Sequence, residues 1–201
     1  SWRFRWWPAK VRPADALASV RDAALERAQK LRPTAAACVF FFCSPRYDLA
    51  VFSEALQGHF VGTTLIGCTT AGEISQRGLT ENSITAFSLP KSHFVVETVL
   101  LEGLAQADEA DVAAHVQAGM RALDRRAISM APGQSFAFAL LDGNSIREEI
   151  VLGLLADALR GTPLFGGSAG DGLDFGETFV FHGGAFHGSA SVLLLVNTRC
   201  P

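Results

Sequence analysis

Short, uninterrupted apolar runs alternate along this chain with segments whose apolar residues return every three or four positions. Cys38–Cys43 and Phe136–Leu141 have no polar face, and a strand of that kind is covered on both sides. Thr63–Cys68 and Thr162–Gly166 read as the strands that follow them. Between the members of each pair, Leu49–Leu56 and Ile146–Leu159 carry helical spacing and stop near Gly58 and Gly161. Ser83–Leu89 and His93–Leu101 are predicted to form a hairpin across Pro90-Lys91. A second hairpin is predicted from Glu177–His182 and Ser189–Val196 across Gly183-Gly184. The longest predicted helix is Ala107–Ile128, with Val112, Val116, Met120 and Leu123 on one face. Asp15–Leu31, between Pro13 and Pro33, is another.

The pattern occurs twice. Thr64-Leu65-Ile66-Gly67-Cys68-Thr69-Thr70-Ala71-Gly72-Glu73 returns, one residue shorter, as Pro163-Leu164-Phe165-Gly166-Gly167-Ser168-Ala169-Gly170-Asp171. An apolar run precedes each copy at nearly the same distance. The expected fold is α/β, an internal duplication of two strand-helix-strand-strand-strand units with mixed central sheets and helices outside. The halves are roughly 37–105 and 134–197, linked by the helix 107–128, after a covering segment and helix over 1–36.

Composition narrows the class. With 49% hydrophobic and 18% charged residues in 201, the chain has enough apolar material for a sizeable core. A net charge of −3 argues against a nucleic-acid surface, and no apolar run is long enough to span a bilayer. Ser1–Arg12, with three Trp and three Arg, has no apolar middle segment of a secretory signal and reads as a segment pinned on the main body. Cys38, Cys43, Cys68 and Cys200 form no CxxC pair, which suggests reduced thiols in a cytoplasmic protein and no metal site. The ending directly after Ser191–Val196 suggests a cut between domains.

Both glycine loops place small residues at a strand end, where backbone N–H groups can approach a ligand. Neither is GxGxxG before a helix or GxxxxGK[ST], so a nucleotide is a weak reading. Tight turns at a seam between the halves explain the same residues, and the two readings stand side by side. The turns Cys43-Ser44-Pro45-Arg46-Tyr47-Asp48 and Asp142-Gly143-Asn144-Ser145 precede helices, where Ser44, Asp142 or Ser145 would cap the helix or face an anion. Cys43, Cys68 and Ser168 are conceivable nucleophiles, but no GxSxG elbow or spaced acid-base partner accompanies them, and no enzyme is expected. His59, His93, His115, His182 and His187 form no HExxH or i, i+4 pair; any one of them in an apolar pocket would suffice to ligate haem.

The run Val39-Phe40-Phe41-Phe42-Cys43-Ser44-Pro45, then Leu65-Ile66-Gly67-Cys68-Thr69-Thr70-Ala71-Gly72-Glu73-Ile74, resembles the start of the FIST family's N-terminal domain, with Thr69 where that family often has serine. Leu164–Gly172 with Thr178-Phe179-Val180-Phe181 is similar to its second signature. The resemblance implies a domain over 37–201 with a C-terminal FIST domain to follow, and a sensory input module of signal transduction. It implies a small-molecule ligand such as an amino acid and a signalling partner domain or kinase, with haem-based nitric oxide sensing or a protein-interaction scaffold as alternatives. The candidate ligand-binding residues are Ser44, Gly67, Cys68, Thr69, Thr70, Gly72, Glu73, Asp142, Asn144, Gly166, Gly167, Ser168, Gly170 and Asp171. Those of the two loops are expected to face each other across one cleft.

Overall fold

Along the chain run β1 (Ala36–Cys43), α1 (Leu49–His59), β2 (Thr64–Thr69), β3 (Glu73–Ser75), β4 (Gly78–Thr80), β5 (Ile84–Pro90), β6 (Phe94–Glu102) and α2 (Glu109–Asp124). They are followed by β7 (Ser135–Leu141), α3 (Glu148–Ala158), β8 (Leu164–Ser168), β9 (Val180–His182), β10 (Ala185–His187) and β11 (Ala190–Thr198). The computed structural model describes residues 36–200 apart from 76–77, 104–105, 107, 144–147 and 172–176, with the backbone alone at Ser75. The predicted helix Asp15–Leu31 and the Trp-bearing segment before it lie outside the described residues, as does Asn144.

The strands make a five-stranded sheet ordered β10-β9-β2-β1-β5 and a four-stranded sheet ordered β6-β11-β7-β8, with β3 and β4 a separate ribbon. Because side chains alternate across a strand, β1 serves two layers at once. Cys38 and Phe40 join Val192, Leu194 and Val196 of β11 in an apolar layer between the sheets. Val39 and Phe41 point the other way, onto Phe52 and Leu56 of α1. β11 does the same in the second sheet, with Leu193 and Leu195 packed under Val112, Val116 and Leu123 of α2 and Val151 and Leu155 of α3. The result is a four-layer α/β/β/α stack in which all nine residues of β11 are buried. This is the mixed α/β class expected, with helices outside.

The helices start where the sequence offers a cap. Asp48, rather than Ser44, caps α1 by accepting from the Ala50 and Val51 amides at 3.1 Å. Asp108 caps α2 through the Asp111 amide at 2.9 Å. α2 ends at Asp124, short of Ile128: the Arg126 and Ala127 amides turn to the Leu123 and Asp124 carbonyls, and the Asn197 carboxamide oxygen takes the Ile128 and Ser129 amides at 2.8 and 3.1 Å.

Both halves open with a parallel strand-helix-strand unit flanked by an antiparallel neighbour: β1-α1-β2 with β5, and β7-α3-β8 with β11. After that they part. The hairpin expected across Pro90-Lys91 does not pair with itself: β5 joins β1, whereas β6 joins β11. Each strand has apolar residues for two layers, so the chain turns a corner between sheets and buries both. Gly183-Gly184 does turn a hairpin, but its second strand is β10; β11 leaves for the other sheet. β9 pairs back onto β2, aligning Phe181 with Gly67 and Val180 with Cys68. The second half thus completes the sheet of the first.

Gly67 is required here by contact rather than by a turn. A Cβ at Gly67 would lie 2.5 Å from the Phe41 carbonyl oxygen and 2.7 Å from the Phe41 ring. With hydrogen there instead, Phe41 and Phe181 meet edge to face at 5.1 Å, and Phe41 also meets Phe52 at 5.3 Å.

The β3–β4 ribbon, missing from the sequence reading, is tied down by Glu73. Its carboxylate accepts from Thr70 Oγ1 at 2.6 Å and from Ser83 Oγ, and its carbonyl accepts from Thr80 Oγ1 at 3.1 Å. Glu73 is 3% exposed and faces inward. Burial pushes its carboxyl above the ordinary value, opposed by the hydrogen bonds from Ser83 and Thr70.

Two outcomes are expected. Phe41→Ala removes the ring shared by three aromatic neighbours and lowers unfolding free energy in urea by about 3–5 kcal/mol. For Glu73, a folded pKa above the unfolded one means that the folded state holds its proton longer. Its contribution is fully present below the unfolded value and is lost as pH rises through the folded value. Glu73→Gln therefore loses this decline: the stability of the variant relative to the parent rises with pH over that interval, measured by urea unfolding across acid pH.

Candidate functional site

The carboxyl ends of the parallel pair β1 and β2 open onto a cleft of about 520 Å³. In sheets built on parallel strands, this is the end where loops gather with unpaired backbone groups. Its walls are Ser44, Pro45 and Arg46 from the turn after β1, Thr70, Ala71 and Gly72 from the first glycine loop, and Leu79, Glu81 and Asn82 beside the ribbon. Asp171, from the second glycine loop, completes it.

Local bonds fix this turn and loop. The Ser44 amide donates to the Ser83 carbonyl at 3.1 Å, and Ser44 Oγ accepts from the Arg46 amide at 3.3 Å and donates to Asn82 Oδ1 at 3.4 Å. Asn82 holds a left-handed backbone at φ 49°, which asparagine tolerates better than most residues, and its carbonyl accepts from the Tyr47 hydroxyl at 2.8 Å. The Thr70 amide continues the β1–β2 ladder by donating to the Cys43 carbonyl at 2.9 Å.

The two glycine loops meet. The Gly170 amide donates to the Thr69 carbonyl at 2.9 Å, and a Cβ at Gly170 would lie 3.5 Å from the Ala71 nitrogen. Around this contact the expected residues divide. Ser44, Thr70, Gly72 and Asp171 line the cleft, and Gly170 stands at the joint behind it. Thr69 is fully buried, its hydroxyl accepting from the Phe179 amide at 3.0 Å, so it joins the halves and presents nothing to a ligand. Gly67 and Cys68 sit within β2 outside the cleft lining, and Glu73 faces inward.

Asp142 is 5% exposed. Its carboxylate accepts from Thr178 Oγ1 and from the Ser189 amide at 2.5 Å, which anchors the approaches to β9 and β11. Gly166, Gly167 and Ser168 lie on the exposed edge strand β8, outside the cleft. The sequence reading missed Pro45, Arg46, Ala71, Leu79, Glu81 and Asn82 as lining residues. Arg46 had a signal, as the cation in a turn that was already suspect. Asn82 had none, because only the docking of the ribbon brings it alongside Ser44.

Charge in the cleft is mixed, with Arg46 against Glu81 and Asp171. Asp171 Oδ2 is buried and has no hydrogen-bond partner among the described residues. A buried acceptor in that state favours a donor or a cation brought by a ligand. The thiols are poor nucleophiles: burial, reinforced by Glu73, pushes Cys68 up to about 12, and burial also raises Cys38 and Cys43. None of the five histidines is in the cleft lining. His182 lines a smaller hollow of about 380 Å³ at the opposite end of β2, and burial together with His187 pushes its imidazole down. Among the described residues no group of three or more His, Cys, Asp or Glu is placed to hold a metal ion, and no helix is long and apolar enough to cross a membrane.

Among solved structures, the chain is similar to a cyanuic acid hydrolase from A. caulinodans, with 12% identity and a TM-score of 0.47 over 98% of this chain and 67% of that one. That likeness is too distant to bear on activity. No curated protein matches the chain. The FIST N domain matches residues 37–201, the whole of the four-layer stack together with both glycine loops, and the chain belongs to the FIST family.

Proposed function

We propose that the chain is a non-enzymatic sensory domain that binds a small zwitterion of amino-acid type in the cleft at the carboxyl ends of β1 and β2. The observation that carries this reading is the meeting of three separate segments, Ser44–Arg46, Thr70–Gly72 and Asp171, around one cleft of about 520 Å³ with charge of both signs. The Arg46 guanidinium suits a carboxylate, which it grips through two parallel N–H donors. Asp171 Oδ2, without a hydrogen-bond partner among the described residues, suits an ammonium group. Leu79 and Pro45 supply apolar wall for a side chain. High thiol pKa values and the lack of a histidine in the lining support binding over catalysis.

The arrangement also suggests how occupancy is passed on. Ser44 and Arg46 follow β1 of the first sheet, whereas Asp171 follows β8 of the second. A ligand held by both draws the sheets together at the Thr69–Gly170 joint, and its differential affinity for that arrangement is the signal.

A thermal-shift screen of amino acids and small carboxylates tests the reading. A ligand at 100 times its dissociation constant adds about 2.7 kcal/mol to stability, which is several degrees in a domain of this size. Arg46→Ala is expected to abolish the shift for every ligand with a carboxylate, because Arg46 is exposed and its loss leaves the core intact. Asp171→Asn is expected to weaken amino acids while sparing their deaminated analogues. No shift from any zwitterion, or equal shifts in the parent and both variants, sinks the assignment.

A further inference from the structure

The helix, the turn and the second strand of the two parallel units correspond at a constant separation along the chain, but among the described residues only β2 is covered at its outer edge. The turn bond from the Thr63 amide to the Phe60 carbonyl recurs from Thr162 to Leu159, and the left-handed Gly62 recurs as Gly161. By the same offset β2 residues Ile66, Gly67, Cys68 and Thr69 correspond to Phe165, Gly166, Gly167 and Ser168 of β8. The first four are buried and the second four exposed, with Phe165 at 59%. The difference has one visible source. β2 carries β9 on its outer edge, with the Thr69 amide donating to the Phe179 carbonyl at 3.0 Å, while β8 is the last strand of its sheet among the described residues.

The adjoining helices repeat the contrast. On α1, Ser53 is 8% exposed, and its hydroxyl and the Gln57 amide both reach the Gly184 carbonyl of the β9–β10 turn. The matching α3 residue to Ser53 is Leu152, an apolar side chain left 38% exposed.

We propose that β8 and the adjoining face of α3 form a docking edge for an antiparallel β-hairpin of a partner polypeptide, uncharged along its paired strand and carrying a large apolar residue opposite Gly166. The occupant is defined by the interface the molecule already makes: at the corresponding position of β2, Phe181 lies opposite Gly67 and packs over it onto the neighbouring strand. The backbone is set for this. The Ala169 amide donates inward to Leu141 at 2.7 Å, so by the alternation of a parallel ladder the Gly166 and Ser168 amides point outward, as those of Gly67 and Thr69 do in β2. Edges that must stay unpaired are usually guarded by lysine, proline or a bulge, and Leu164-Phe165-Gly166-Gly167-Ser168 has none of these.

The test uses the chain's own hairpin as the probe, a synthetic peptide of residues 177–188 (ETFVFHGGAFHG), added in trans to the full chain while amide hydrogen exchange is followed by NMR. The expected result is a slowing of about tenfold or more at Gly166 and Ser168, with Gly167 and Ala169 unchanged. A scrambled peptide is expected to give none, and Ser168→Pro, which removes one outward N–H while leaving the β7 ladder intact, is expected to abolish it. Lack of slowing at millimolar peptide overturns the proposal, as does protection confined to the Gly67 and Thr69 amides, which signifies exchange of the resident hairpin. Protection of Gly166 and Ser168 without peptide overturns it too: if it grows with protein concentration the occupant is a second copy, and if it does not, the occupant is another segment of this chain.

Discussion

Two strands without a polar face, β1 and β11, impose the condition that the remaining elements meet. Each must be covered above and below, and one helix per strand covers one side only. Setting Cys38 and Phe40 against Val192, Leu194 and Val196 lets each strand serve as the other's second cover. The helices are then free to lie outside, over Phe41 on one side and over Leu193 and Leu195 on the other. Remove that mutual cover and neither half retains a stable core, because every second residue of its central strand faces water.

The same condition explains why strands change sheets at two corners. β5 and β6 separate after Pro90, and β10 and β11 separate after the 188–189 turn, so each half contributes to both sheets. Exchange of this kind ties the geometry of the cleft to that of the sheets. The Thr69–Gly170 bond joins the carboxyl ends of β2 and β8, beside the Ser44 turn, so the cleft lies where the halves are held by a backbone contact and loops, away from the apolar layer. A site in that place can respond to a ligand without disturbing the core, which is close-packed and resists gradual deformation.

Small residues in the glycine loops have unequal duties. Gly67 admits two aromatic rings to each other, and Gly143 and Gly166 leave room for carbonyl oxygens that a Cβ would meet at 2.0 Å. Gly72, by contrast, lines the cleft. The seam and the cleft wall therefore fall to different residues of these loops. Thr69 belongs to the seam, and Thr70, the next residue, turns its amide to the ladder and its flank to the cleft.

What the sequence determined by itself was whatever depends on near neighbours in the chain. Apolar runs located β1, β7 and β11, because a strand with two apolar faces has no alternative to burial. Apolar spacing and Gly58 or Gly161 located α1 and α3, and the repeated glycine signatures identified both the family and the loops that meet. Tertiary structure decided everything that depends on which strand lies beside which. Hydrogen bonds between strands carry no side-chain code, so nothing in Phe94–Glu102 announced β11 as its partner in place of β5. Glu73 and Asp142 looked like ligands for the same reason that they became anchors: a carboxylate accepts equally well from a substrate or from Ser83, Thr178 and Ser189, and only packing chose between them. The cleft itself, with Arg46, Asn82 and Asp171 drawn from three distant segments, exists only once the ribbon and the two loops have docked.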